Sequence, residues 1–498
     1  MKNMMVDRRK EVVISVTAAI AVASAALFVL RRWQRSSGRR WKRTQKFLRR
    51  FAAGCSTPVL KLWRVADDLV ADMQAGISSD SAAGNKLRSL VSNVQSLPTS
   101  EDEGIYYGLN LCANEFHVSR VQLGANNAPM VKQESTSMPI PPQLTLHTNS
   151  EELFDYIAME LAKFISTESE SFDSGATRQN KLGVTYSLPL EQDQSSATIL
   201  KSFPNDDTVG KDLVDKFNKA LEKHGVDMQV SGMVDETIGN LVGDRNSNEN
   251  VVAAVTLATG TNAAYVEAMS AIENLNGPAP LSGDMVIDTG WGNFRSAHFP
   301  LTEYDIQLDS ESPNPGEQMF EKLVSGKYLG EIVRRVLLKM ARETALFGDT
   351  ITTELQTPYI LRSPDMASMH QDTSENREVV GEKLKDVFKI EESTPMVREI
   401  VADVCDIVVE RGARLAGAGI LGILKKLGKL DTTQKSVVTV EGGLYQHYRL
   451  FRNYLHSGIW EMLGSEFSDS ITIQNSNGGS GIGAVFIAAS QSHSIQNS

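Results

Sequence analysis

The sequence predicts an α/β protein of two lobes facing one another across a cleft, carried behind a single transmembrane helix. Three observations predict it. A β-rich run, a turn of small residues and a second β-rich run occur twice. Residues 105–111 pass through Cys112, Ala113, Asn114 and Glu115 into 116–123, and residues 251–257 pass through Ala258, Thr259, Gly260, Thr261 and Asn262 into 263–266, each hairpin followed by helical segments. Residues 12–30 carry no charge at all. Finally, 498 residues with 41% hydrophobic and 22% charged side chains hold enough apolar material for about two or three domains. That excludes global disorder and a disulfide-stapled miniature.

Charge divides the chain. Residues 1–50 hold fourteen Lys and Arg against two acids, so the formal charge of -11 leaves about -23 for residues 51–498. An acidic body cannot neutralise phosphates along a duplex or a single strand, so nucleic acid is excluded as its partner. Three cysteines, Cys55, Cys112 and Cys405, stand far apart without a CxxC pair, which suggests neither a disulfide framework nor a zinc site. No metal-ligating set is read from the sequence.

The 19 residues 12–30 span roughly 28 Å as a helix, enough for a hydrocarbon core. Ten basic residues and no acid follow between Arg31 and Arg50, and this excess on the carboxyl side puts the body in the cytosol. The competing reading is a cleaved signal peptide with Ala23, Ser24 and Ala25 at its cleavage site, but the apolar run continues beyond them into Arg31 and Arg32. An Ala-rich span with dense basic flanks suits the mitochondrial outer membrane. After it, residues 57–77 place Val59, Leu62, Trp63, Ala66, Leu69, Val70 and Met73 at helical spacing, an amphipathic helix packing on the body. Residues 168–177 and the tail after 491 are polar and loop-like, and 246–250 form a polar turn. No period of 20 to 50 residues recurs, which argues against a solenoid.

Small-residue turns of this kind can hold phosphate, because backbone N–H groups converge where no Cβ intrudes. One such turn is equally an ordinary hairpin. Seven runs supply its context: LGVTYSLP (182–189), MVDETIG (233–239), ATGTNAAYVE (258–267), NPGEQMFEKLVSGKYLGEIVR (314–334), GILGILKKLGK (419–429), EGGLYQHY (441–448) and SNGGSGIGA (476–484). In order and spacing, over about residues 90–490, they resemble the motifs of the hexokinases, and the anchor matches the membrane-anchored plant type. The resemblance implies the two-lobed hexokinase fold with its actin-like ATPase core. It divides the chain into an anchor and basic flank (1–50), a small subdomain with the amino-terminal helix (51–235), a large subdomain (236–490) and a tail (491–498). It also implies ATP and Mg²⁺ as cofactors of an active enzyme and transfer of the terminal phosphoryl to a hexose such as glucose, fructose or mannose. Such transfer needs positioning, offset of phosphate charge and a carboxylate that takes the hydroxyl proton.

By the same resemblance, Ser187, Pro189, Lys201, Asp235, Asn262, Gln318 and Glu321 face the sugar, and Thr259, Gly260, Thr261, Gly442, Gly443 and Ser480 face the nucleotide. Taken alone, Lys201 and Glu321 are solvated surface charges; the motif context carries Glu321 into the site and leaves Lys201 balanced between the two. The glycines serve tight packing equally well.

Departures from the pattern fall on every part of the chemistry. Glu236 stands where the family has its catalytic Asp, one methylene too long, and Asp235 replaces the preceding Asn. A displacement of about 1 Å costs on the order of 100-fold in rate. The first turn, Asp-Leu-Gly-Gly-Thr-Asn in the family, stands as Asn110, Leu111, Cys112, Ala113, Asn114 and Glu115. It loses a carboxylate near the metal and two glycines, and gains a negative charge. Gly290 replaces a sugar-binding Glu, Leu200 a Thr, Ala258 a leading Gly and Gly478 an Asp. Two readings follow: a catalytically impaired, sugar-binding or regulatory protein at the mitochondrial surface, with weak hexose affinity and regulatory protein partners, or an active ATP-dependent hexokinase. The departures favour the first.

Overall fold

Two sheets built on one strand order carry the molecule. The computed structural model describes residues 38, 40–77, 90–91, 103–112, 114–124, 132–144, 150–167, 178–187, 207–271, 283–430, 432, 434–464, 470–477 and 479–490. A two-residue strand β1 (Leu90–Val91) comes first in the chain. The first sheet then holds β2 (Gly104–Cys112), β3 (Glu115–Leu123), β4 (Lys132–Pro139), β5 (Arg178–Ser187) and β6 (Gln229–Asp235) in the order β4-β3-β2-β5-β6. The second holds β7 (Val251–Leu257), β8 (Thr261–Ala268), β9 (Asp284–Asp288), β10 (Ser436–Glu441) and β11 (Ile471–Asn475) in the order β9-β8-β7-β10-β11, with β1 added beside β9. In each, an antiparallel meander is followed by two strands parallel to its first. The two hairpins in the sequence are β2–β3 and β7–β8, and the repetition extends to whole lobes.

Burial explains which runs became central. Strand β2 is buried along almost its whole length, whereas the polar β4 lies exposed at the sheet edge, where charged and hydroxyl side chains meet water. Between the sheets lie the helix Glu236–Ser247 and the last helix, Gly479–Ser490, in a shared core with Tyr106 and Val121 on one side and Ala254, Ala264 and Val286 on the other. Glycines make that close approach possible. A Cβ at Gly483 would land on the Gly239 carbonyl, and one at Gly108 would sit 2.7 Å from the Gly481 oxygen.

Chain order misplaces two helices. The amphipathic helix Val59–Ile77, counted above with the small subdomain, buries Leu62, Val65, Ala66, Leu69 and Met73 in the core of the large one. Its partner is the long helix Pro395–Lys426, where Gly422 opens room under the Ala66 carbonyl and Lys425 pairs with Asp67 at 2.6 Å. Phe47, Phe51 and Cys55 join the same core, Phe51 edge-on to Tyr304 at 5.6 Å. Conversely Gly479–Ser490, counted with the large subdomain, packs on β2 and β5 of the small one. Among the described residues no helix is long and apolar enough to cross a membrane. Residues 12–30, 168–177 and 491–498 lie outside the described residues.

Candidate functional site

The carboxyl ends of β2, β5, β6, β9 and β10 converge on the crevice between the lobes, the place where open α/β sheets bind ligands. Their last residues are Cys112, Ser187, Asp235, Asp288 and Glu441.

At the floor, Asp235 ends β6 and caps the helix Glu236–Ser247, accepting from the Thr237 N–H at 2.8 Å. Asn262 on β8 donates through its single amide nitrogen to Oδ1 of Asp235 (3.2 Å) and to Oδ1 of Asp288 (3.0 Å), while its own oxygen accepts from the Ala263 N–H. Burial pushes the Asp288 carboxyl up to about 7; the charge of Asp235 adds to this, and the Gly290 N–H and the Asn262 amide oppose it. Burial raises Asp235 as well, against hydrogen bonds from Thr237 and Asn262. Tyr186 beside them is raised well above its ordinary range, by burial first and then by both carboxylates. Gly290, where the resemblance expects Glu, adopts the left-handed φ of 55° that favours glycine.

Glu321 stands beside this floor. Its carboxyl is pushed up to about 7 by burial, opposed by the Thr261 N–H and by Lys327 and Lys322. A Cβ at Gly292 would come within 2.9 Å of its Oε2, and one at Gly260 within 3.5 Å of Oε1. Gln318, at φ 52°, accepts from Asn314 at 2.5 Å. The buried Lys322 fixes that loop with bonds to Asp309, Ser312, and the carbonyls of Asn314 and Glu317.

On the nucleotide side, several side chains serve the scaffold. The Thr261 hydroxyl donates to the Thr256 carbonyl (2.9 Å) and accepts from the Trp291 indole N–H (3.0 Å). Ser480 is buried and donates to Oε1 of Glu236 at 3.2 Å, holding that carboxylate at the first position of its helix. Thr259 is exposed, and its carbonyl accepts from the Lys327 N–H. Gly442, at φ 109°, lies against the backbone of Leu257 and the Cβ of Ala258, and the exposed Gly443 opens a short helix. The second turn and the β10 loop therefore meet.

The first turn reaches the same place and brings negative charge to it. Burial raises the Cys112 thiol to about 12, helped by the charges of Glu236, Glu115 and Glu441. Glu441 is itself raised to about 7, by burial and then by Glu236 and Asp244. Glu115 accepts from Ser137 at 2.6 Å, and Asn114 is exposed. Asn110 is buried and accepts from the Thr185 hydroxyl at 3.3 Å. A neutral amide already holding a hydroxyl is a poor ligand for Mg²⁺, which prefers carboxylates and water, so this turn does not fit the metal the resemblance implies.

Pro189, Lys201, Leu200, Ala113 and Gly478 lie outside the described residues, as does the side chain of Ser187. Sequence reasoning missed Asp288, Tyr186 and Glu441. The convergence of strand ends would have found them once the strands were ordered, since each closes or nearly closes an apolar strand at the crevice.

Two family models, both described as hexokinase, match residues 47–245 and 252–490. Hexokinase-1 of Spinacia oleracea is 49% identical over 497 residues, covering 98% of this chain and 99% of that protein. Hexokinase-1 of Arabidopsis thaliana is 47% identical, covering 97% and 98%. Among solved structures, a hexokinase from Schistosoma mansoni complexed with glucose has a TM-score of 0.74 at 24% identity, covering 90% of this chain and 99% of that one.

Proposed function

This chain belongs to the hexokinase family, and on that premise we propose that it binds hexose in the inter-lobe cleft while transferring phosphoryl groups poorly, serving as a sugar-responsive protein at a membrane surface. The observation that carries this reading is the anionic crowd on the nucleotide side. Glu115, Glu236 and Glu441 act together on Cys112, where a polyphosphate would have to bring its own negative charge. Catalysis of phosphoryl transfer is mostly charge offset and alignment. This turn opposes the first, and the longer Glu236 disturbs the second. Retention of Asn262, Gln318 and Glu321 around the floor, and the glucose of the solved relative, support a hexose as ligand. The loss of a carboxylate at Gly290 supports weak affinity.

The second reading, an active kinase using Mg-ATP, rests on Glu236: its carboxylate remains, held by Ser480 at a helix start. A coupled ADP-release assay with glucose, fructose and mannose separates the two. Attenuated transfer predicts turnover well below about 10 per second, and a rate at or above that ordinary value overturns it.

Residues 12–30 anchor the protein in the mitochondrial outer membrane, body to the cytosol, within this proposal. Deleting residues 1–30 should release a folded protein into the soluble fraction; a full-length chain already soluble, or a body shielded from protease outside intact mitochondria, would refute the anchor.

A further inference from the structure

Asp235 and Asp288 come from opposite lobes to the two hydrogens of one amide nitrogen. Asp235 ends the last strand of the small sheet, and Asp288 ends β9 of the large one. Asn262 offers a single NH₂ group and donates to both, while the Thr237 and Gly290 N–H groups each serve one of them. Two buried carboxylates arranged in this way hold one proton at lower free energy than two negative charges, and their ionisation belongs to the pair. We propose that Asp235 and Asp288 share one proton across Asn262, and that hexose is taken up by this singly protonated pair, so that Asp288 acts as a positioning residue for the sugar through Asp235. The proposal rests on the hexose-binding reading above and deepens it.

The chemistry suits a sugar. A singly protonated pair presents both an O–H donor and a carboxylate acceptor, the two partners a ring hydroxyl needs. A doubly ionised pair presents acceptors only and drives the lobes apart. The titratable groups around the pair are Tyr186 on β5, whose phenol is raised by both carboxylates, Glu236 next along the chain, and Glu321 behind the Thr261 N–H. Tyr186 stays neutral in the working range, and Glu321 ionises near the same pH as the pair, so the comparison must be made between variants.

Raised folded values fix the sign. The pair's proton favours the folded, sugar-competent state at low pH, and that contribution is lost as pH rises from the ordinary carboxylate range through about 7. The experiment uses the full chain in detergent micelles. It measures glucose affinity by calorimetry, and thermal unfolding without sugar, from about pH 5.5 to 8.5 for wild type, Asp288→Asn and Asp235→Asn. The glucose Kd of wild type should rise by up to about tenfold per pH unit above 7, the slope of one proton. Both Asn variants should lose that slope, and the sugar-free midpoint should fall less with pH in each than in wild type. Either variant suffices if the other does not fold. Parallel sugar-free curves for wild type and variants, or one common Kd profile, overturn the shared proton. Sugar-free curves that diverge while glucose binds at no pH overturn the hexose-binding reading, and the proposal with it.

Discussion

The two hairpin turns occupy the same place in the same strand order, yet one is locked and the other loose. The β7–β8 turn is held from several sides: Thr261 by Thr256 and Trp291, the Ala258 carbonyl by the Gly326 N–H, and its flank by the backbone of Gly442. The β2–β3 turn has no glycine in its sequence 112–115; the Asn114 carbonyl accepts from the Ile140 N–H, and the half-exposed Glu115 accepts from Ser137 at 2.6 Å and faces His117 at 3.7 Å. A repeated scaffold therefore asks for strands and leaves turn chemistry freer where fewer groups hold the turn.

The largest break in this comparison is a Cβ at Gly442. Its φ of 109° is strained for any other residue, and the added atom strikes the Leu257 backbone. Gly442→Ala should destabilise the protein by about 4 kcal/mol by strain and overlap combined. Glu115→Gln on the loose turn should stay within about 0.5 kcal/mol. Chemical denaturation of the two variants side by side checks the contrast, which collapses if they fall together.

Next in size is rescue of catalysis. Restoring the base alone, by Glu236→Asp with Asp235→Asn, leaves the anionic turn in place and should raise kcat only modestly. Adding Asn110→Asp, Cys112→Gly, Ala113→Gly, Asn114→Thr and Glu115→Asn, together with Gly290→Glu, should add on the order of 100-fold, because the parts of such a site work as a unit. Additive gains in the coupled assay would show that the loose turn has no part in the attenuated transfer proposed above.

These contrasts also mark what the residues disclose by themselves. The hairpins are legible because apolar β-formers stop at small residues, and seven ordered runs carry the family. The destination of Val59–Ile77 is not: an apolar stripe says that a helix has a partner, and only packing says it is Pro395–Lys426. Asp288 is hidden because it ends an apolar strand, and its importance arises from Asp235 and Asn262, distant in sequence. Ser480 and Thr261 fit a nucleotide-binding pattern, but their hydroxyls meet Glu236, Thr256 and Trp291. Motif spacing locates such groups without saying which way they bond.

On the locked side, Glu321 gives an intermediate effect. Glu321→Gln removes a charged acceptor from the cleft and should weaken glucose binding by roughly 1.5–3 kcal/mol, about tenfold to a hundredfold. Its carboxyl is raised to about 7 in the fold, so its contribution to stability is full at low pH and fades as pH climbs through 7; the Gln variant should lose that part of the slope. Thermal unfolding and calorimetry across this range read both, and an unchanged affinity would place the sugar elsewhere.

The smallest effect sharpens the picture of the loose turn. Cys55 and Cys405 are buried, and burial raises both thiols; Cys112 is partly exposed, and its thiol is raised by burial and then by Glu236, Glu115 and Glu441. Only the thiolate alkylates, so at pH 8 Cys112 should react slowly with iodoacetamide despite its exposure. Glu115→Gln removes one of three negative neighbours near a partly solvated group, where a single charge shifts an ionisation modestly. Alkylation of Cys112, followed by mass spectrometry, should accelerate about two- to threefold in the variant, with Cys55 and Cys405 unchanged. An equal rate in both proteins would mean that Glu115 is fully screened, and the anionic crowd would then reduce to Glu236 and Glu441, leaving the turn's lost glycines as its remaining fault.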